Sequence, residues 1–224
     1  MTLAFAHRGA PTRGVRENTL PAFRAALDAG VDALESDVWL TADGVPVLEH
    51  DGALGPHWNR RRLREMRADE LPDWLPTLAE LYRELGTGFS LSLDLKDPDG
   101  AAAVLAVADD AGATSRLWLC AELPALEACR RRSAEVRLAN STRLRGRTTA
   151  PLVRRLADAG VDALNLREPE WTPVRVEMTH TVGLAAFAWD VQTTAVLDRV
   201  LGDGCDAVYS DSVPLLLDAA ARPR

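Results

Sequence analysis

Short apolar runs and longer amphipathic runs alternate along the whole chain. The short runs are rich in Val, Leu, Ala and Phe, as buried strands are, and the longer runs place apolar residues at helical spacing. Several of the longer runs end at glycine, a common helix terminator. Strands are predicted over residues 3–7, 31–38, 89–95, 116–121, 135–141, 162–167, 183–189 and 206–211, and helices over residues 20–30, 77–85, 100–112, 123–132, 148–160, 173–183, 193–204 and 212–224.

Eight strands alternating with eight helices predict a compact TIM-type (β/α)8 barrel that spans residues 1–224 as a single domain. An open doubly wound sheet is the rival fold, but it would favour fewer strands and a glycine-rich first turn, which the sequence lacks. The motif DAGVDAL occurs at residues 28–34 and 158–164, and GDGCDAV at 202–208 is a close variant. Each copy marks a helix end followed by a strand start, which supports the alternation.

One segment departs from this alternation, after the second predicted strand. An ADG turn leads to a second short strand, VPVLEH, and then to a polar stretch over residues 51–76. We expect this stretch to be an elaborated loop containing a short helix. In a barrel, a loop that follows the carboxyl end of a strand lies over the active-site face.

Composition narrows the function classes. The 224 residues are 47% hydrophobic and 26% charged, which excludes a disordered chain, and the net charge of −7 argues against a nucleic-acid partner. The sequence shows neither a secretory signal nor an apolar run of the ~20 residues that a membrane span needs. Three cysteines without a CxxC pair favour reduced, buried thiols and a cytoplasmic protein: Cys120, Cys129 and Cys205. The sequence makes no prediction of oligomeric state.

Polar residues gather where the predicted strands end, the position from which barrel enzymes draw their active sites. Glu35 and Asp37 lie two apart on a strand and so share a face among apolar neighbours. A divalent cation would offset their repulsion, with Asp94 as a third oxygen donor, and an all-carboxylate set favours Mg²⁺ or Ca²⁺. Carboxylates bridged by arginine in a structural role are the alternative.

Lys96 is the single lysine beside 25 arginines, which suggests a GC-rich bacterial genome that replaces lysine wherever charge alone suffices. Its survival indicates a site that needs a compact ammonium group, although chance is the alternative. Two of the four histidines, His7 and His50, lie at predicted strand ends and are candidates for acid–base catalysis. We expect no chemical role for His57 and His180, and expect the arginine runs 60–62 and 130–132 to be solvated helix faces.

These motifs together resemble the glycerophosphodiester phosphodiesterase family. The resemblance rests on HRG, ENTLPAFRAAL, ESDVWLTADGVPVLEHD and SLDLK in this order, and extends weakly to FAWDV and GCDAVYSD. It implies a TIM barrel that uses a divalent metal to hydrolyse glycerophosphodiesters to glycerol 3-phosphate and an alcohol. It further implies attack by a neighbouring glycerol hydroxyl group, giving a cyclic phosphate that water then opens.

The resemblance also implies a role for each matching residue. His7 and His50 would be the general acid and base, and Arg8 and Lys96 would hold the phosphate group. Metal binding would fall to the carboxylates Glu35, Asp37 and Asp94. The polar rim and the wall of the substrate pocket would come from Glu17, Asn18 and Trp189.

The sequence departs from the family pattern at three places. Asp94 stands where glutamate is usual, the spacing from HRG to ENT is one residue longer, and the segment after Asp51 is short and lacks a threonine-rich pattern. Two other functions therefore stay open. One is a metal-dependent barrel lyase or isomerase acting on a sugar phosphate or keto acid, and the other is a barrel that binds a phosphate ligand without turnover.

Overall fold

The structure is a computed structural model that describes residues 2–56, 58–146 and 148–222. Within these ranges, eight parallel strands form a ring in which the first strand pairs with both the second and the last. The sheet therefore closes into a barrel, which confirms the predicted fold and rules out the open sheet. The strands are β1 (Leu3–Ala6), β2 (Ala33–Leu40), β3 (Ser90–Leu95), β4 (Leu117–Ala121), β5 (Arg137–Ser141), β6 (Ala163–Arg167), β7 (Ala185–Trp189) and β8 (Ala207–Ser210).

An α-helix follows each strand and covers the outside of the barrel. Capping fixes the helix ends: Thr77 and Glu80 bond each other's backbone amides at the start of the second helix, and Gly86 ends it with a φ of 74°. In the described residues the helices are α1 (Leu20–Asp28), α2 (Leu78–Leu85), α3 (Ala101–Asp110), α4 (Leu123–Arg132), α5 (Thr149–Asp158), α6 (Pro173–Thr181), α7 (Thr194–Gly202) and α8 (Val213–Ala221).

The barrel interior is closed at one end by an aromatic floor. Phe5 stacks on Tyr209 with ring centroids 4.7 Å apart, and Trp118 meets Phe187 at 4.8 Å. Small residues of the intervening strands, such as Ala139, fill the space between these rings. Because side chains alternate along a strand, the outward residues form a second apolar layer beneath the helices. Only the carboxyl end of the interior is left for polar groups.

The segment between β2 and α2 covers part of that carboxyl end. Pro46–Leu48 pairs antiparallel with the end of β2, as predicted, and Ala53–Leu54 pairs with Arg61–Arg62. The short helix expected in this stretch is present, but as 3-10 helix. The described part holds two single turns of 3-10 helix, Leu63–Glu65 and Ala68–Glu70, because so few residues cannot repay the cost of nucleating an α-helix.

Two further expectations concern thiols and membranes. All three cysteines are buried and outside any disulfide, which agrees with the predicted burial of these thiols. Among the described residues, no helix combines the length and the apolar character needed to cross a membrane.

Candidate active site

The carboxyl ends of the strands surround a cavity of about 530 Å³. Its walls are formed by side chains that face the barrel interior. Because side chains alternate along a strand, the residue two positions after an aromatic floor residue also faces the interior, and after Phe5 and Tyr209 it is polar. In this way Phe5 leads to His7, and Tyr209 leads to Asp211. Eight of the ten residues predicted for the site line the cavity: His7, Arg8, Glu35, Asp37, His50, Asp94, Lys96 and Trp189.

A tight turn after β1 positions two of these side chains. His7–Gly9 form one turn of 3-10 helix in which Arg8 has a φ of 51° and Gly9 a φ of 81°. A Cβ atom on Gly9 would lie 3.0 Å from the Cβ of Ala22 in α1, so glycine lets the turn pack closely against this helix. The turn directs the Arg8 amide at β2, where it donates to Glu35 Oε2 at 2.9 Å.

A carboxylate that directly follows the last strand holds His7. His7 Nδ1 lies 2.7 Å from Asp211 Oδ1 and donates to it, since a carboxylate only accepts, and Gln192 Nε2 donates to Asp211 Oδ2 at 2.7 Å. Burial lowers the pKa of His7, but the hydrogen bond to Asp211 and the charges of Glu35 and Asp211 outweigh burial and raise this pKa. The bond from His7 lowers the pKa of Asp211.

His50 has a similar partner from its own loop. Its Nδ1 atom lies 2.8 Å from Asp51 Oδ1, and Arg60 donates to Asp51 Oδ2 at 2.5 Å. The bonds from Arg60 and His50 hold the pKa of Asp51 below its usual value. Both histidines therefore have Nδ1 engaged with a carboxylate, which leaves Nε2 of each ring available for proton transfer.

Glu35 is a buried carboxylate, and burial makes its charged form unfavourable. The residue is 7% exposed, and Asp37 lies on the same face of β2. Burial raises the pKa of Glu35, the nearby His7 lowers it, and the charge of Asp37 raises it further. Glu35 Oε2 lies 3.9 Å from His7 Nε2, which is too far for a hydrogen bond.

Lys96 lies between two carboxylates. Its Nζ atom is 2.9 Å from Asp37 Oδ1 and 2.6 Å from Asp94 Oδ2. Burial alone would lower the pKa of Lys96, but the charges of Asp94 and Asp37 outweigh it and raise the pKa. The second oxygen of Asp37, Oδ2, is buried without a hydrogen-bond partner, and the Nε atom of Arg8 is 3.6 Å away from it.

The predicted metal ligands fit a divalent cation in chemistry. Glu35 and Asp37 bring negative charge into a buried place, and Asp37 Oδ2 is an acceptor that nothing in the described chain satisfies. Oxygen donors of this kind suit Mg²⁺ or Ca²⁺. In the observed arrangement Lys96 holds Asp37 and Asp94, and the described residues contain no group of three or more His, Cys, Asp or Glu side chains placed to hold a metal. The metal site therefore stays a prediction.

Glu17 and Asn18, predicted for the polar rim, form hydrogen bonds next to the cavity, and the Glu17 side chain is 42% exposed. Glu17 Oε1 accepts a hydrogen bond from Arg8 Nη1 at 3.0 Å, and Asn18 Oδ1 accepts from Ser36 Oγ at 2.7 Å. Neither residue lines the cavity. These bonds hold Arg8 and β2 in position, and the backbone amide of Asn18, which has a φ of 54°, donates to the Arg8 carbonyl group at 3.0 Å.

Ten lining residues were not identified from the sequence. Most lie on predicted strands in the second half of the chain, on the side that faces the barrel interior. Because side chains alternate along a strand, these residues lie two or four positions after an apolar residue of the floor, and this spacing would have identified them. They are Ser92, Cys120, Ser141, Arg143, Asn165, Arg167, Asp190, Gln192, Tyr209 and Asp211.

Of the residues expected to play no chemical role, His180 bonds Asp206 at 2.7 Å and does not line the cavity, whereas His57 lies outside the described residues. The expectation of a solvated helix face is wrong for Arg130. Its guanidinium group donates to the carbonyl group of Gly160 and to Asp162, because the loops that follow α4 and α5 bring these acceptors within reach of its side chain.

Comparison with known proteins identifies the family. The sequence model of the "Glycerophosphoryl diester phosphodiesterase family" matches residues 7–215. The chain belongs to this family. Its members are phosphoric diester hydrolases.

Relatives match over nearly the full chain. A Mycobacterium tuberculosis protein named "Probable glycerophosphodiester phosphodiesterase 2" is 27% identical, covering 96% of this chain and 89% of its own length. Among solved structures, an Oleispira antarctica phosphodiesterase in complex with the product sn-glycerol-3-phosphate has a TM-score of 0.84 at 22% identity, covering 98% of this chain and 96% of that one. A glycerophosphodiester phosphodiesterase of Thermotoga maritima has a TM-score of 0.83 at 22% identity, over 97% and 98% of the two chains. Both structures share the fold.

Proposed function

We propose that this chain hydrolyses glycerophosphodiesters to glycerol 3-phosphate and an alcohol, with a divalent cation and two histidines. The observation that carries the proposal is the meeting of His7, His50 and the basic groups of Arg8 and Lys96 in one cavity of a chain of this family. The product bound to the Oleispira antarctica protein supports the choice of substrate.

The basic groups would bind the phosphate group. Arg8 offers a planar set of donors, and its Nε atom is buried without a hydrogen-bond partner. Lys96 offers a compact ammonium group, which would turn towards a phosphate oxygen as substrate enters. The cationic side chains thus attract an anionic diester to a molecule whose net charge is −7.

Glu35, Asp37 and Asp94 would hold one divalent cation, Mg²⁺ or Ca²⁺. When bound, the cation would neutralise phosphoryl oxygens and stabilise the charge that develops in the transition state. Asp94 is one methylene shorter than the glutamate usual in the family, so direct coordination and coordination through water are both compatible with its place at the end of β3.

The histidines would move the protons. One imidazole accepts the proton of the attacking hydroxyl group or water, and the other donates a proton to the alcohol oxygen as the bond from phosphorus to oxygen breaks. Asp211 and Asp51 engage the Nδ1 atoms, so both transfers would use Nε2. Asp211 also stabilises the protonated form of His7, as the raised pKa of His7 indicates.

Hydrolysis assays test this function. The wild type, His7→Ala and His50→Ala are compared on glycerophosphoglycerol and bis(p-nitrophenyl) phosphate, with Mg²⁺, Mn²⁺ or Ca²⁺ and with EDTA. We expect turnover that EDTA abolishes and that each substitution lowers by about 100-fold or more. Glycerophosphoglycerol left intact with every cation would favour the lyase, the isomerase or the non-catalytic binding protein. Turnover that survives both substitutions would refute the two-histidine mechanism.

We also propose a cytoplasmic protein that acts on small molecules in lipid metabolism. Its three cysteines are buried free thiols, as a reducing compartment allows, and its net negative charge does not suit a nucleic-acid partner. Imaging a tagged full-length chain in its host would test the compartment.

A further inference from the structure

A second recess of about 400 Å³ adjoins the catalytic cavity. The two share Ser141, Arg143 and Trp189, which places the recess beyond the carboxyl ends of β4, β5 and β7. In the closed ring β7 lies across the mouth from β3 and β4 is the neighbour of β3, while β2 and β3 carry the predicted metal ligands. A diester whose phosphate is held by Arg8 and Lys96 would therefore extend one of its two arms into this recess.

The walls of the recess are rich in guanidinium groups. Arg143 and Arg145 line it, and Glu122 is its acidic residue. In the described chain neither arginine forms an ion pair, so their charges are not neutralised by the protein. Arg167 is different, because its Nε and Nη2 atoms donate to Asp190 Oδ2 at 2.9 and 2.7 Å. Both bonds reach one carboxylate oxygen, and this ion pair cancels the charge of Asp190.

Trp189 lines both the cavity and the recess, and two arginine side chains form cation–π contacts with its ring. The guanidinium carbon of Arg143 lies 5.4 Å from the ring centroid, and that of Arg167 lies 5.8 Å away. An aromatic ring in a substrate pocket would otherwise be a good contact for a quaternary ammonium group. Here the protein's own cations take that place, so a cationic alcohol would meet like charge instead of an open ring.

The floor next to the recess is polar. Asn165 is 5% exposed, its Oδ1 atom has no hydrogen-bond partner, and its Nδ2 atom lies 3.5 Å from Ser141 Oγ. A buried acceptor without a partner is costly, and a hydroxyl group of a bound ligand would relieve it. This floor suits a hydroxylated alcohol better than an acyl chain.

We propose that the recess is a subsite for an anionic, hydroxylated alcohol arm, such as a polyol that carries a second phosphate group. The inference rests on the proposed function and specifies its substrate class. The glycerol arm of a glycerophosphodiester has no charge, so a cationic recess distinguishes substrates only through the alcohol arm. Arg143 is placed to bind the anionic group and Arg145 lines the same recess, while choline and ethanolamine diesters are disfavoured.

Three diesters test the subsite in the wild type: glycerophosphoglycerol, the same diester with a phosphate group on the released glycerol, and glycerophosphocholine. The first two differ only in the terminal phosphate. We expect kcat/KM to be about tenfold higher for the phosphorylated diester, mainly through a lower KM, and lowest for glycerophosphocholine. Equal values for the first two, or a preference for glycerophosphocholine, would overturn the subsite and leave the hydrolase intact. Absence of turnover on all three would overturn both proposals.

Arg143→Gln tests whether the preference for the phosphorylated diester arises at this arginine. Arg145→Gln is a second variant in the same loop. In Arg143→Gln we expect the kcat/KM ratio of phosphorylated to unphosphorylated diester to fall by about tenfold, and in Arg145→Gln by less. Arg131→Gln is the matched control, because Arg131 is an exposed arginine at the end of α4, on the opposite face of the barrel. An unchanged ratio in both loop variants, or an equal fall in Arg131→Gln, would refute the assignment.

Discussion

At the scale of single residues, the two histidines are held by carboxylates of very different origin. Asp51 follows His50 directly in the chain, whereas Asp211 lies 204 positions from His7. A carboxylate at Nδ1 fixes the tautomer and orientation of an imidazole and favours its protonated form. Gln192, the only glutamine of the chain, bonds both the side chain and the backbone of Asp211 and so keeps it in place.

Replacing Asp211 by asparagine tests this arrangement. The hydrogen bond and the charge of Asp211 raise the pKa of His7, so Asp211→Asn should lower that pKa and lower kcat by about tenfold or more. Proton NMR titration of the metal-free protein gives the pKa, with the His7 signal assigned from His7→Gln. His180 bonds Asp206 instead and serves as an internal reference. An unmoved or raised His7 pKa would contradict the role of Asp211.

Gly9 shows how one residue shapes the cavity through the backbone. Gly9 and Gly14 both have a left-handed backbone, with φ of 81° and 88°, but only at Gly9 would a Cβ atom meet α1. We expect Gly14→Ala to lose about 1–2 kcal/mol of unfolding free energy from backbone strain, and Gly9→Ala to lose about 1–3 kcal/mol more from crowding. Urea denaturation measures both. Equal losses would show that the close packing of this turn is not required.

At the scale of elements, the regular part of the barrel follows from sequence and the irregular part does not. Buried strands and amphipathic helices have distinct periods, so all eight pairs are predicted within a few residues. The segment between β2 and α2 has no period. There the 3-10 turn at Ala68–Glu70 depends on a local bond in which the Glu70 carboxylate accepts from the Arg67 amide, while Leu63 packs on Val47.

This segment would also support the proposed catalysis, because Arg60 reaches back to Asp51, the partner of His50. We expect Arg60→Gln to lower kcat by about three- to tenfold while changing the unfolding free energy by less than about 0.5 kcal/mol, since the ion pair is exposed. Arg64→Gln is the control, because Arg64 is exposed in the same segment and forms no ion pair within the described chain. Steady-state kinetics measures kcat and urea denaturation measures the unfolding free energy. Equal kcat in the two variants would contradict the role of Arg60.

At the scale of the whole molecule, barrel closure determines which residues meet. The first half of the chain supplies most of the predicted site, and its strand-end motifs are recognisable one by one. Asp211 joins His7 only because β8 pairs with β1, and Arg143 and Trp189 meet only because the ring brings β5 and β7 to one mouth. Many acidic residues follow strands in this sequence, so sequence alone does not select Asp211 as the partner.

Barrel closure also brings several carboxylates together at one mouth. Their mutual repulsion lowers the stability of the protein, although the same groups are the predicted cation ligands. Burying Glu35 beside Asp37 costs free energy that a bound cation would offset. In EDTA, Glu35→Gln should therefore raise Tm by a few degrees, because the amide oxygen still accepts from the Arg8 amide while the buried charge is gone. Saturating Mg²⁺ or Ca²⁺ should raise the wild-type Tm by roughly 5 °C and the variant's by much less.

Differential scanning calorimetry measures both effects, with Glu135→Gln as the control because Glu135 is exposed and distant from the cavity. The control should match the wild type in EDTA and in saturating cation. If Glu35→Gln lowered Tm in EDTA, Glu35 would be stabilised by its neighbours without a cation, and the metal assignment would lose its physical basis. If the variant kept the full Tm increase, the cation would bind elsewhere. Loss of the increase together with a higher starting Tm is the result that only a buried cation ligand produces.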